Sequence, residues 1–81
     1  MTDIYALVEK LLRERLHVSA DLVDPGRTLE ELGLDSLARV ELGIMIDDEC
    51  GIPPKALGAV TAQSTVGEVV DMLRMAQEEQ A

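Results

Sequence analysis

The chain has 81 residues, 16 of them acidic and 7 basic, with a formal net charge of -9; that length suits one domain with a small core and excludes a spacious buried active site. So strong a negative charge argues against nucleic acid, whose phosphates would repel the chain, and makes basic protein surfaces the expected partners. Tyr5 is the one aromatic residue, so the interior has to be built from Leu, Ile, Val, Met and Ala, which favours helix packing over sheet.

Met1-Thr2-Asp3-Ile4-Tyr5 lacks the basic-then-apolar pattern of a targeting peptide, and no apolar run approaches membrane-spanning length. The expectation is a cytoplasmic protein with no membrane association. Ile4, Leu7, Val8, Leu11, Leu12 and Leu16 recur at the three-and-four spacing of an amphipathic helix, with Glu9, Lys10, Arg13 and Glu14 on the other side. From His17 to Gly26 the periodicity fades, and Asp24-Pro25-Gly26 is turn chemistry, so a long connection should cross one end of the molecule with Leu22 and Val23 tucked beneath it. Thr28-Leu29-Glu30-Glu31 fits a capping box opening a single helical turn that Gly33 closes.

The second helix is expected from about Ser36 to Cys50, stopped by Gly51 and Ile52-Pro53-Pro54. A short third helix is expected within Lys55 to Val60. Thr65-Val66-Gly67-Glu68 is a second capping box, after which Val66, Val69, Val70 and Leu73 mark the inner face of a last helix; the polar residues Gln77 to Ala81 should fray. The predicted fold is all-α, a small four-helix bundle with a long first loop and a short third helix, formed by residues 1–81 as one freestanding domain. Cys50 is the lone cysteine, which rules out an internal disulfide and reads as a small apolar filler.

Within Leu32-Gly33-Leu34-Asp35-Ser36-Leu37, Gly33 can take the left-handed conformation that ends a turn and Asp35 can cap the next helix, which puts Ser36 in the first helical turn. Unpaired backbone N–H groups and the positive end of the helix dipole favour an anion there, so a phosphodiester on Ser36 would sit in a favourable field. This motif, the chain length, the acidity and the order of elements resemble the acyl carrier proteins over nearly the whole chain. The resemblance implies a non-catalytic protein, with Ser36 as the attachment point of a covalent 4'-phosphopantetheine arm supplied by a phosphopantetheinyl transferase.

By the same resemblance its partners are that transferase together with an acyltransferase, a ketosynthase and other acyl-processing enzymes of a dissociated (type II) polyketide or fatty-acid pathway, met by a monomer. A peptidyl or D-alanyl carrier would share the arm and differ in cargo. At about 100° per residue, Ser36, Leu37, Val40, Glu41, Ile44, Asp47 and Asp48 fall within one arc of the second helix, while Ala38, Leu42, Met45, Ile46 and Cys50 lie opposite. One helix thus carries two apolar stripes, and a small domain cannot easily bury both. Leu37, Val40 and Ile44 are therefore expected to be at least partly exposed, as a docking surface bordered by charge requires. In the family this helix presents carboxylates to Arg and Lys patches, and Glu41, Asp47 and Asp48 match that pattern, with Asp35 beside them; steering by charge is the implied role.

Arg39 and Lys55-Ala56-Leu57-Gly58 depart from the pattern of the primary fatty-acid carriers, which tilts the pathway toward polyketide or other specialised assembly. Arg39 and Glu49 also fall on the inward arc, so either they reach outward or the arc is rotated. Two other classes compete with the carrier. A serine enzyme would need a base for Ser36, and the one histidine, His17, sits at the end of the first helix, where the dipole accounts for it. An unmodified acidic interaction module would lack the arm altogether. No metal site is expected, because Asp21, Asp24 and Asp47-Asp48-Glu49 do not reproduce a calcium loop.

Overall fold

The structure, a computed structural model, describes residues 3–80. Met1 and Thr2 of the N-terminal reading and Ala81 of the expected fraying tail lie outside the described residues. Helix α1 spans Ile4–Glu14, α2 spans Ser36–Cys50 and α3 spans Val66–Gln80, with 3₁₀ turns at Ala20–Leu22 and Pro54–Leu57. No strand is present among the described residues, and a lone bridge joins Thr28 to Thr65.

Asp3 starts α1, its carboxylate accepting from the Ala6 N–H at 3.3 Å. Ile4, Val8, Leu11 and Leu12 are buried, as their spacing predicts. The helix closes before Leu16 because His17 takes a positive φ of 58°, which lets the Val18 N–H reach the Leu12 carbonyl at 2.8 Å. The expected long connection follows. It contributes Val18, Leu29, Leu32 and Leu34 to the core, and burying each such side chain is worth roughly 1.5–3 kcal/mol relative to leaving it exposed.

Both capping boxes form. The Thr28 N–H donates to Glu31 Oε1 at 3.0 Å while the Glu31 N–H donates to Thr28 Oγ1 at 3.2 Å, and Thr65 and Glu68 exchange the same pair at 3.4 and 3.1 Å. The hydrogen bond from the Thr28 backbone holds the Glu31 carboxyl below its ordinary pKa. The two boxes lie side by side: the Leu29 N–H reaches the Ser64 carbonyl and the Val66 N–H the Arg27 carbonyl, each at 2.9 Å. Through these bonds the long connection is tied to the start of α3.

The short helix expected within Lys55–Val60 is instead the single 3₁₀ turn Pro54–Leu57, so the described residues hold three α-helices where four were expected. Its bonds run from each N–H to the third carbonyl back, Ala56 to Pro53, Gly58 to Lys55 and Val60 to Leu57; the two prolines withhold donors and the segment is too brief to begin an α-helical ladder. Val66, Val69, Val70 and Leu73 form the buried face of α3. That helix continues to Gln80, beyond Gln77, where fraying was expected. α1 packs against both α2 and α3, and the 3₁₀ turn bridges α2 and α3, which leaves one side of α2 uncovered.

Candidate functional site

Three buried leucines fix the approach to α2. Leu29, Leu32 and Leu34 sit in the core, and between the last two Gly33 adopts a φ of 80°, a conformation that an L side chain would resist. The Leu34 N–H bonds to the Leu29 carbonyl at 3.1 Å, so the chain leaves the turn in one direction. Asp35 then caps α2, its Oδ1 accepting from the Ala38 N–H at 2.8 Å. Ser36 follows as the first helical residue, exposed to solvent.

Arg39 reaches back toward the helix start, as a long side chain on a helix does. Its Nη1 donates to the Leu34 carbonyl at 3.3 Å and its Nη2 to Ser36 Oγ at 3.4 Å. The residue is half-buried, whereas Glu49 is exposed; the two residues that fell on the inward arc thus escape it differently. A guanidinium is a donor and cannot take a proton from the serine hydroxyl.

Beside Ser36 opens a cleft of about 350 Å³, lined by Ser36, Arg39, Val40, Leu42 and Gly43 of α2, by Pro54, Leu57, Gly58 and Val60 of the next segment, and by Leu29 and Val69. Composition and periodicity did not point to this cleft. Its signals in the sequence are Gly43, which leaves α2 without a side chain opposite the turn, and the Pro53-Pro54 pair that bends the chain beside it. A Cβ on Gly43 would meet Pro54 Cβ at 3.6 Å.

The uncovered side of α2 carries Leu37, Val40 and Ile44, which are 66%, 59% and 51% exposed. Opposite them Leu42, Gly43 and Ile46 are buried, and Ala38, Met45 and Cys50 are half-buried. Asp35, Asp47 and Asp48 are exposed and Glu41 is half-buried. Apolar side chains therefore stand in water on the same helix as a set of carboxylates. Among the described residues, no group of three or more His, Cys, Asp or Glu side chains could hold a metal ion, and no helix is long and apolar enough to cross a membrane.

The phosphopantetheine attachment site family matches residues 6–73, a span that contains the whole of this site. The acyl carrier proteins of Sinorhizobium fredii (strain NGR234) and Rhizobium meliloti are each 36% identical over 80 residues, covering 95% of this chain and 99% of theirs. This chain belongs to the acyl carrier protein family. It is also 31% identical over 70 residues to one of the polypeptides of the polyunsaturated fatty acid synthase of a Thraustochytrium species, covering 85% of this chain and 2% of that one. No solved structure gives a significant match. Acyl carrier proteins are non-catalytic, carry a covalent 4'-phosphopantetheine installed by a phosphopantetheinyl transferase, and work with acyl-processing enzymes. The site's geometry fits such a group: a reachable hydroxyl, the free N–H groups of a helix start and a guanidinium beside the oxygen.

Proposed function

We propose that Ser36 is the residue that bears the arm, and that the uncovered face of α2 is where partner enzymes read the carrier. The observation that carries this is the exposed hydroxyl at the first turn of α2, held in place by the buried leucines on either side of Gly33. In the transfer, Ser36 Oγ bonds to the phosphorus that bears pantetheine in coenzyme A, the pyrophosphate bond breaks, adenosine 3',5'-bisphosphate leaves, and the hydroxyl proton passes to a base of the transferase. The arm supplies a thiol that holds the acyl group as a thioester.

Leu37, Val40 and Ile44 give the docking face a small apolar contact, and Asp35, Glu41, Asp47 and Asp48 steer basic partners onto it. Limited burial with charge steering makes encounter fast and release quick, which suits a carrier that visits an acyltransferase, a ketosynthase and other enzymes in turn. The pathway we assign is a dissociated (type II) polyketide or fatty-acid system, with the carrier acting as a cytoplasmic monomer. That both rhizobial relatives are acyl carriers favours acyl cargo over the peptidyl or D-alanyl alternative, and the apolar cleft beside Ser36 suits an aliphatic group.

Intact mass after incubation with coenzyme A and a broadly specific phosphopantetheinyl transferase tests the assignment. The wild-type chain should gain one phosphopantetheine and Ser36→Ala none. A wild-type chain that gains nothing, or a gain that survives in Ser36→Ala, would overturn it.

A further inference from the structure

Arg39 is the one basic residue of α2, a helix that also holds Glu41, Asp47, Asp48 and Glu49. Among the described residues Arg13 pairs with Glu9 and Arg27 with Glu31, while Arg39 makes no ion pair. Its charge is directed instead at two neutral oxygens, the Leu34 carbonyl at 3.3 Å and Ser36 Oγ at 3.4 Å. One arm of the guanidinium is thus anchored on the turn before the helix and the other rests on the hydroxyl.

A phosphodiester formed at Ser36 would add a negative charge one residue after the Asp35 carboxylate, on a chain already at -9. That carboxylate is occupied in capping, by the Ala38 N–H at 2.8 Å, and cannot turn away without uncapping α2. The phosphorus would bond directly to Oγ, so its non-bridging oxygens stand two bonds beyond the atom that Nη2 already touches. We propose that Arg39 is a positioning residue for this phosphodiester, exchanging its weak bond to the serine oxygen for a charge-assisted one to the phosphate while Nη1 stays on Leu34. The pairing offsets repulsion from Asp35 and holds the root of the arm at the rim of the cleft that Arg39 itself lines.

The inference rests on Ser36 being the attachment residue, and its test separates the two. Apo and loaded forms of the wild type, Arg39→Gln and Arg39→Lys are compared by thermal unfolding and by phosphorus NMR. Loading should raise the wild-type Tm by about 2–4 °C more than it raises that of Arg39→Gln, the size expected of a partly exposed charged pair in a domain this small. Arg39→Lys should recover part of the difference, 0.5 M salt should shrink it, and the phosphorus resonance should move in Arg39→Gln. A residue that only braces the turn would shift the apo and loaded forms equally, and that result, with an unmoved resonance, overturns the proposal while leaving the attachment intact. Failure of Ser36 to take the arm overturns both.

Discussion

Cys50 is a second thiol on a protein whose work is done by a first. It lies half-buried at the end of α2, and burial, with a smaller push from the Glu49 carboxylate, raises its pKa. The thiolate is the nucleophile in both alkylation and thioester exchange, so a raised pKa lowers the reactivity of Cys50 towards an acyl group carried by the same chain. With iodoacetamide at neutral pH, apo protein should alkylate more slowly than a free cysteine, and loaded protein should take one label fast and a second at the slow rate. The slow reaction should accelerate as pH rises, because the thiolate fraction grows. Mass spectrometry over time follows both labels, and a Cys50 as reactive as free cysteine would contradict the assignment.

Two glycines inside helices look alike in the sequence and should answer substitution in opposite ways. A Cβ at Gly43 would stand 3.6 Å from Pro54 Cβ, an ordinary contact, whereas one at Gly67 would stand 3.1 Å from the Pro25 carbonyl oxygen, which also accepts the Gly67 N–H at 3.0 Å. Gly43→Ala should therefore gain about 0.5–1 kcal/mol from helix propensity, and Gly67→Ala should lose about 1 kcal/mol or more as the connection is pushed off α3. Denaturant unfolding of both variants measures this. Losses of equal size would mean that Gly43 is packed as tightly as Gly67. What was legible in the chain follows the same division between local and distant causes. Each capping box could be read from four residues, as could the Asp35 cap and the apolar faces of α1 and α3. The bridge that sets Thr28 against Thr65 could not, because nothing near either threonine records the other. His17 at positive φ was equally hidden, since glycine is the residue that usually announces such a turn. The exposure of Leu37, Val40 and Ile44 was readable as a surplus of apolar positions on one helix, whereas the cleft depends on how the Pro54–Leu57 turn lies across α2.

At the scale of the whole molecule, 16 acidic and 7 basic residues make self-repulsion a general cost, and the end of α2 concentrates it. Asp47, Asp48 and Glu49 stand exposed at the negative end of that helix's dipole, a placement that works against stability. If the acids are kept for docking, stability and function should separate by helix face. Asp48 shares the arc of Ser36, and Glu49 lies about 100° farther round, on the other side. Asp48→Asn and Glu49→Gln remove one charge each from nearly the same point of the dipole, so both should raise Tm by roughly 1–3 °C at low salt. Only Asp48→Asn should slow loading by the transferase, several-fold at low ionic strength, and the deficit should fade near 0.5 M salt, where charges more than about 4 Å apart are screened. Unfolding curves and loading rates on the same two variants decide the matter: equal loading rates would remove Asp48 from the docking face, and an unchanged Tm in both would show that the end of α2 bears no electrostatic strain.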